Sequence, residues 1–490
     1  LWKGDVVMYF LQKFSEFLWG LPLIVTILFA GIFFTIGSKF FQFKYLGHIL
    51  KKTFGNLFGK NKDDAEKGEG VVSPLEAVSI AIGGAVGTGN IGGVATAIAV
   101  GGPGATFWMW VAALFGMLIK MVEVSLAVYY RSKDEKGENY GGPTYYMQKG
   151  LGVEKNFRLW WLMAFIFGIG IFSSVIFTMQ NYTVSEAVSS TFNINMLVVS
   201  AIYLILSYVI TVRGIPWLGK VSSILVPFMC LFYILGGLFI ILKNVADLPN
   251  ALSLIFKGAF NGTAAIGGFS GAAVSMAIRN GIARSVFSNE AGWGTSPMIH
   301  ASAKIDHPIK QGLWGAFEVF VDTIIVCSIT ALVIIITGQW SSGLDGATLT
   351  LSAFEIGTGA LGRVIVTISV FLFGLSTTGG WYAYFEVLIR HLFGDRTRAK
   401  EMAFKVFRAV YPIPGFLIVV IAVLKEMPGA EVWLLGDIAS GVPTFINVIA
   451  ILLLSGKFFE LLKDYKARYI DEKAMKSDFK VFYEDKIKSS

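Results

Sequence analysis

Long apolar segments separated by short charged stretches dominate the 490-residue chain. A run of roughly 20 apolar residues is long enough to cross the hydrocarbon core of a bilayer as a helix. The ten-residue alternation of apolar and polar positions that is typical of a transmembrane β-barrel is not visible. The pattern therefore predicts an all-α polytopic membrane protein with about eleven transmembrane helices. The predicted spans lie near 17–37, 74–100, 105–130, 158–188, 195–212, 219–242, 254–279, 311–338, 363–390, 404–425 and 431–456.

Composition supports this class of protein. Hydrophobic residues make up 54% of the chain and charged residues only 15%, whereas soluble domains are usually less apolar. The net charge of +8 comes from Lys and Arg in connecting loops, so it indicates membrane topology rather than a nucleic-acid partner. Neither the four histidines nor Cys230 and Cys327 show a metal-binding spacing, and we predict no cofactor.

The basic loops alternate along the chain. Loop 39–68 is rich in lysine, and every second loop after it is also basic, whereas 101–104 and 339–362 contain no Lys or Arg. The positive-inside rule then predicts a cell-membrane protein with its N-terminus outside and its C-terminus in the cytoplasm. We expect three regions: an extra transmembrane helix with a basic cytoplasmic loop (1–73), a ten-helix core (74–456) and a cytoplasmic tail (457–490).

A glycine-rich interruption at 83–93 lies inside the second apolar segment. Lipid offers no hydrogen-bond partner to a freed N–H or C=O, so a broken helix at this depth must line a cavity. The freed amides and carbonyls can then bind a carboxylate and a small cation. Glycines also permit close helix packing, but we favour a broken, ligand-binding helix.

A second glycine-rich stretch, 266–273, opens the second half of the core. Five spans in 74–242 and five in 254–456 would start on opposite sides of the membrane, because five is odd. An interrupted helix at the corresponding place in each half is the pattern of an inverted repeat. We therefore predict two five-helix repeats, 74–242 and 254–456, with the binding site between their broken helices.

Several motifs resemble the alanine/glycine:cation symporter family. They are Gly-Ala-Val-Gly-Thr-Gly-Asn at 84–90, Gly-Gly-Pro-Gly-Ala-Thr-Phe-Trp-Met-Trp at 101–110, Arg-Asn-Gly-Ile-Ala-Arg at 279–284 and Phe-Ser-Asn-Glu-Ala-Gly at 287–292. The resemblance implies the LeuT-like five-plus-five fold and uptake of alanine or glycine with Na⁺, or sometimes H⁺. It predicts a secondary transporter rather than an enzyme. The alternatives are proton-coupled or exchange transport and, with less support from the sequence, a channel.

The first break supplies the predicted carboxylate site. Thr88 and the amide of Gly89 lie where the upper half-helix begins, and its N-terminus attracts an anion. Alternatively, the Thr88 hydroxyl bonds to a carbonyl of its own helix. Ala85 would offer a carbonyl to the substrate ammonium, and bulky aromatic side chains would keep the pocket small. The candidate substrate-binding residues are Ala85, Thr88, Gly89, Phe177, Gln180, Phe269, Ser270, Gly271 and Trp381.

The resemblance also implies a sodium site. Hydroxyl residues of the eighth core helix would complete it together with first-helix carbonyls. At 100° per residue, three adjacent hydroxyls cannot all face inward, so we expect one to point elsewhere. Asn90 is an additional candidate, with a plain helix cap as its alternative. The candidate sodium ligands are Gly83, Val86, Ser376, Thr377 and Thr378.

Ionisable residues within the spans are further candidates, because charged groups in a membrane are rare and often functional. Lys120 and Glu123 are close enough in sequence to pair. Glu318 and Asp322 are one turn apart and could form either a proton-coupling pair or a structural network with Arg279 or Arg284.

Overall fold

The computed structural model describes residues 3–55, 70–135, 137–176, 178–261, 270–394, 396–425, 429–471 and 479–487. These residues are mostly helical. The β-strands of the described residues are β1 (Ser132–Lys133) and β2 (Asn139–Tyr140), which pair antiparallel.

The α-helices of the described residues are, in chain order, α1 (Lys3–Leu18), α2 (Leu21–Gly37), α3 (Phe41–Lys44), α4 (Leu46–Lys52), α5 (Pro74–Ala85), α6 (Val94–Gly101), α7 (Gly104–Tyr129), α8 (Pro143–Tyr146), α9 (Trp160–Ile176), α10 (Gln180–Phe192), α11 (Met196–Thr211), α12 (Ile215–Lys243), α13 (Leu248–Asn261), α14 (Ser270–Asn289), α15 (Pro297–His300), α16 (Pro308–Val319), α17 (Ser328–Ile336), α18 (Gly346–Thr358), α19 (Ala360–Phe393), α20 (Thr397–Val410), α21 (Ile413–Lys425), α22 (Gly429–Leu453), α23 (Ser455–Tyr469) and α24 (Tyr483–Ile487). Wider π-helical turns occupy Gly89–Gly93, Met147–Glu154 and Phe320–Cys327, and 3-10 turns occupy Val245–Asp247 and Gln339–Ser341.

Several of these helices combine into membrane spans. Within the described residues, eight helical segments are long and apolar enough to cross a bilayer, and a ninth span forms if the two halves of a bent helix, α5 and Gly89–Gly101, are counted together. The predicted all-α membrane class is therefore confirmed, while the count of eleven and the inverted repeat stay predictions. The eight segments are Tyr9–Gly37, Gly104–Tyr129, Trp160–Phe192, Ile215–Lys243, Pro308–Ile336, Ala360–Phe393, Arg398–Lys425 and Gly436–Leu453.

Central and peripheral helices differ in what they expose. Most of α7 is buried, whereas α2, α11 and α12 present large apolar side chains at the surface, among them Phe29 and Ile205. Lipid tails are as apolar as leucine, so such faces incur no desolvation cost in a bilayer. The exposed apolar belt is what a membrane-embedded bundle requires.

Local signals explain how α5 begins and where it packs. Ser73 and Glu76 form a capping box, in which the Ser73 hydroxyl accepts from the Glu76 amide at 3.2 Å and the Glu76 carboxylate accepts from the Ser73 amide at 2.8 Å. Near its other end α5 lies against α19, where a Cβ on Gly380 would be 2.7 Å from the Gly84 Cα. This close approach brings the hydroxyl residues of α19 to the end of α5.

Candidate functional site

The first helix break lies between α5 and the π-helical turn Gly89–Gly93. Val86 leaves the helical conformation with ψ of 95°, and the helix axis bends by 49° across the break. Side chains elsewhere in the chain satisfy part of the freed backbone: the Thr330 hydroxyl donates to the Asn90 carbonyl at 2.8 Å, and the Thr350 hydroxyl donates to the Ile91 carbonyl at 3.0 Å. The interruption is therefore held in place by neighbouring helices.

The second break follows α14. This helix is continuous from Ser270 to Asn289, after which Glu290, Gly292 and Gly294 adopt φ of 55°, 89° and 84° before α15 begins. These left-handed backbone angles end the helix, and glycine adopts them at little cost. Of the segment 266–273, where the sequence predicts a break, residues 266–269 lie outside the described part of the chain, and 270–273 form the first turn of α14.

The two breaks meet directly. A Cβ on Gly89 would lie 3.2 Å from Cδ1 of Phe287 and 3.6 Å from the Ser288 Cα. A cavity of about 260 Å³ opens at this junction, smaller than the roughly 300–1,000 Å³ of typical ligand pockets. The residues that line it are Gly84, Ala85, Gly87, Thr88, Gly89, Gln180, Phe287, Glu290, Trp293, Thr377 and Trp381.

Five of the predicted substrate-binding residues line this cavity: Ala85, Thr88, Gly89, Gln180 and Trp381. Two others, Phe177 and Phe269, lie outside the described residues.

Ser270 and Gly271 form the first turn of α14, where Gly271 is exposed. A substrate-binding role for Ser270 and Gly271 stays a prediction.

The polar side chains of the cavity differ in how they are engaged. Thr88 is 2% exposed, and within the described residues its hydroxyl makes no hydrogen bond, so the back-bonding alternative does not occur. The Gln180 side-chain oxygen accepts from the Thr178 hydroxyl at 2.6 Å. Trp381 packs edge-to-face against Trp293, with ring centroids 4.9 Å apart. Thr88 is thus buried in a cavity wall with its hydroxyl available.

The candidate sodium ligands meet at the contact between α5 and α19. The Thr377 hydroxyl donates to the Gly83 carbonyl at 3.1 Å. The Ser376 hydroxyl donates to the Phe373 carbonyl of its own helix at 2.9 Å. The Thr378 hydroxyl instead pairs with the Tyr203 hydroxyl at 2.7 Å. The hydroxyl expected to point elsewhere is therefore that of Thr378.

Val86, the remaining candidate, directly follows α5, and its amide donates to the Ile82 carbonyl at 2.6 Å. Its carbonyl belongs to the segment that has left the helix. Val86 therefore lies at the break together with Gly83, as the prediction requires.

Asn90 does not line the cavity. Its side-chain oxygen accepts from the Gly87 amide at 2.8 Å, and its amide group donates to the Asp322 carboxylate at 2.6 Å. Asn90 therefore connects the first break to Asp322, and its role as a cation ligand stays a prediction. Arg284 pairs with Asp437 at 2.8 Å.

The other buried charges also pair differently from the expectation. Lys120 approaches Glu318 at 3.5 Å, and His300 bonds to the other oxygen of Glu318 at 3.0 Å. Glu123 instead accepts from the Gly292 amide at 3.1 Å. The pairing of Lys120 with Glu123 is wrong because the Lys120 ammonium is directed to Glu318, the Glu290 carbonyl and the Ser296 hydroxyl.

Five lining residues were missed as site residues: Gly84, Gly87, Phe287, Glu290 and Trp293. For Glu290 and Trp293 the signal is the segment Glu-Ala-Gly-Trp-Gly-Thr-Ser-Pro at 290–297, which combines two glycines and a proline directly after a helical stretch.

Comparison with known proteins agrees with this geometry. Residues 4–480 match the family model described as "Sodium:alanine symporter family". The "Sodium/alanine symporter AgcS" of Methanococcus maripaludis is 37% identical, with 90% of this chain and 93% of that protein covered. The "Probable sodium/glutamine symporter GlnT" of Bacillus subtilis is 36% identical, with 97% and 93% covered.

Among solved structures, that of MhsT in complex with L-phenylalanine is similar with a TM-score of 0.57 and 16% identity. The alignment covers 82% of this chain and 97% of that one. At this identity the likeness concerns the fold alone, which is LeuT-like.

A LeuT-like helical bundle with a broken helix at a buried cavity defines a secondary transporter of the membrane. The chain belongs to the sodium:alanine symporter family.

Proposed function

We propose that this protein imports alanine, glycine or both together with Na⁺ by alternating access, in the cell membrane, with its N-terminus outside and its C-terminus in the cytoplasm. The observation that carries the proposal is the junction of two helix breaks at a small buried cavity, where the Thr88 hydroxyl has no hydrogen-bond partner within the described residues. Family membership supports an amino-acid substrate and a co-transported cation.

The substrate carboxylate would bind at Thr88 and Gly89. Gly89 begins the π-helical turn that continues into α6, so the positive end of this half-helix is directed toward the anion. The aromatic rings of Phe287, Trp293 and Trp381 limit the space around it. A substrate with a side chain of a methyl group or less fits this enclosure best.

Sodium would bind where α5 meets α19. The Gly83 carbonyl and the Thr377 hydroxyl already lie within hydrogen-bond distance, and the Val86 carbonyl and Ser376 hydroxyl are their neighbours. Oxygen ligands without a full charge suit a monovalent hard cation. Because Gly83 and Thr88 belong to the same interrupted segment, ion and substrate would each order it, and linkage makes their binding mutually favourable. A sodium ion moving down 100 mV provides about 2.3 kcal/mol.

A second candidate substrate is glutamine. A further cavity of about 400 Å³ adjoins the first and shares Gln180, Phe287, Trp293 and Trp381 with it. If Trp381 moved, the combined space would hold a longer, amide-bearing side chain. The relative named as a sodium/glutamine symporter supports testing this substrate alongside alanine.

Uptake of radiolabelled alanine into proteoliposomes tests the proposal. We expect accumulation when a Na⁺ gradient is imposed, and none when K⁺ replaces Na⁺. Unlabelled glycine should compete, whereas leucine should not. Accumulation driven by a pH gradient without Na⁺ would establish proton coupling instead, and strong inhibition by leucine would contradict the small pocket. Glutamine accumulation with weak alanine uptake would favour the second candidate.

A further inference from the structure

Glu290 occupies an unusual position in the cavity. It is the first residue after α14, its backbone is left-handed with φ of 55°, and it is 2% exposed. Of the described residues that line the 260 Å³ cavity, it is also the one that carries a charge. A left-handed backbone at a non-glycine residue is strained and is held only when the surrounding structure demands it. The strain therefore indicates that the surrounding structure fixes the position of Glu290.

Within the described residues, the Glu290 carboxylate forms no ion pair with a basic side chain. Lys120 donates to the main-chain carbonyl of Glu290 at 2.9 Å, but its ionic contact is with Glu318. One carboxylate oxygen of Glu290 accepts a hydrogen bond from the neutral Thr295 hydroxyl. A buried carboxylate without a countercharge is costly, and more so at membrane depth. A cation that enters the cavity would remove that cost.

We infer that the Glu290 carboxylate binds the ammonium group of the substrate, and so restricts transport to carboxylates that carry a protonated amine. The inference rests on the proposed amino-acid site. It deepens that proposal, because it replaces freed backbone carbonyls by a charged side chain as the main recognition element for the amine. Thr88 and the helix N-terminus at Gly89 attract the anionic end of the zwitterion, and Glu290 attracts the cationic end. The charge-assisted bond is stronger than a neutral one.

The test measures preference for the amine rather than affinity alone. Purified protein at saturating Na⁺ binds radiolabelled alanine in competition with unlabelled alanine or with propionate, which has the same shape without the ammonium. We expect wild type to prefer alanine. In Glu290→Gln the preference for alanine over propionate should fall about ten- to a hundredfold, the range for losing a hydrogen bond to a charged group.

Glu123→Gln is the matched control. Glu123 is fully buried and accepts from the Gly292 amide in the same segment, but it does not line the cavity. Any loss of binding affinity in Glu123→Gln should be equal for alanine and propionate. An equal loss for both ligands in Glu290→Gln would show a merely structural role and overturn the inference. A change only in the sodium concentration for half-maximal binding would make Glu290 a cation ligand, which would also overturn it.

Failure of the proposed alanine transport can be distinguished from failure of the inference about Glu290. If wild type binds glutamine rather than alanine, the same ratio is measured with glutamine and its deaminated analogue glutaramate. A wild type that prefers the amine-bearing member of neither pair overturns the inference. If Glu290→Gln does not fold, Glu290→Asp decides. Retained preference for the amine supports the inference, and loss of preference in the folded aspartate variant contradicts it.

Discussion

Replacing Thr88 with valine removes a hydroxyl and keeps the branched shape of the side chain. Within the described residues this hydroxyl makes no hydrogen bond, so its loss should leave the stability of the protein nearly unchanged. If the hydroxyl binds the substrate carboxylate, the variant loses a hydrogen bond to a charged group, which is worth about 1.5–3 kcal/mol. That corresponds to roughly a ten- to hundredfold weaker affinity for alanine.

Isothermal titration of the purified variant with alanine at saturating Na⁺ measures this effect. Thr330→Val is the matched control: its hydroxyl donates to the Asn90 carbonyl at 2.8 Å, and it does not line the cavity. We expect the control to lower the melting temperature more than Thr88→Val does. Wild-type alanine affinity in a folded Thr88→Val protein would refute the reasoning, because the hydroxyl would then have no ligand to serve.

Three further predictions concern the ion, the buried charges and the gradient. Thr377→Val should raise the sodium concentration for half-maximal alanine binding, whereas Thr378→Val should not, because the Thr378 hydroxyl bonds to Tyr203 instead. A titration of Na⁺ at fixed alanine concentration compares the two variants. Equal shifts in both would place the ion elsewhere. Lys120→Met should destabilise the protein by about 3–5 kcal/mol, because it removes the ammonium next to the buried Glu318 carboxylate and leaves it only the bond to His300. Adding Glu318→Gln should recover part of the melting temperature, and no recovery would show that this pair is not the cause. Alanine should tighten sodium binding by the same factor by which sodium tightens alanine binding, as linkage requires; unequal factors in equilibrium titrations would exclude simple coupling.

The sequence by itself determined the class of protein and the first break. Runs of about 20 apolar residues require helices, because lipid leaves no other partner for the backbone. Glycines at 83–93 within such a run predict an interruption, and the cavity is lined by Ala85, Thr88 and Gly89 as expected. Helical geometry also predicted that one of three adjacent hydroxyls would face elsewhere. These inferences depend on local chemistry and spacing, which the chain displays directly.

Only the tertiary structure decided the second break and the partners of the buried charges. Both 266–273 and 290–297 are rich in small residues, and the left-handed backbone angles of Gly292 and Gly294 became visible only in the structure. In the sequence, Glu290 was only one member of the family motif at 287–292, whereas the fold makes it part of the cavity lining. Lys120 meets Glu318 rather than Glu123 because helix packing, not sequence distance, sets which charges are within reach. Contacts between distant segments depend on how helices pack. A hydrophobic pattern specifies which face of a helix is buried, but it does not specify which other helix covers that face.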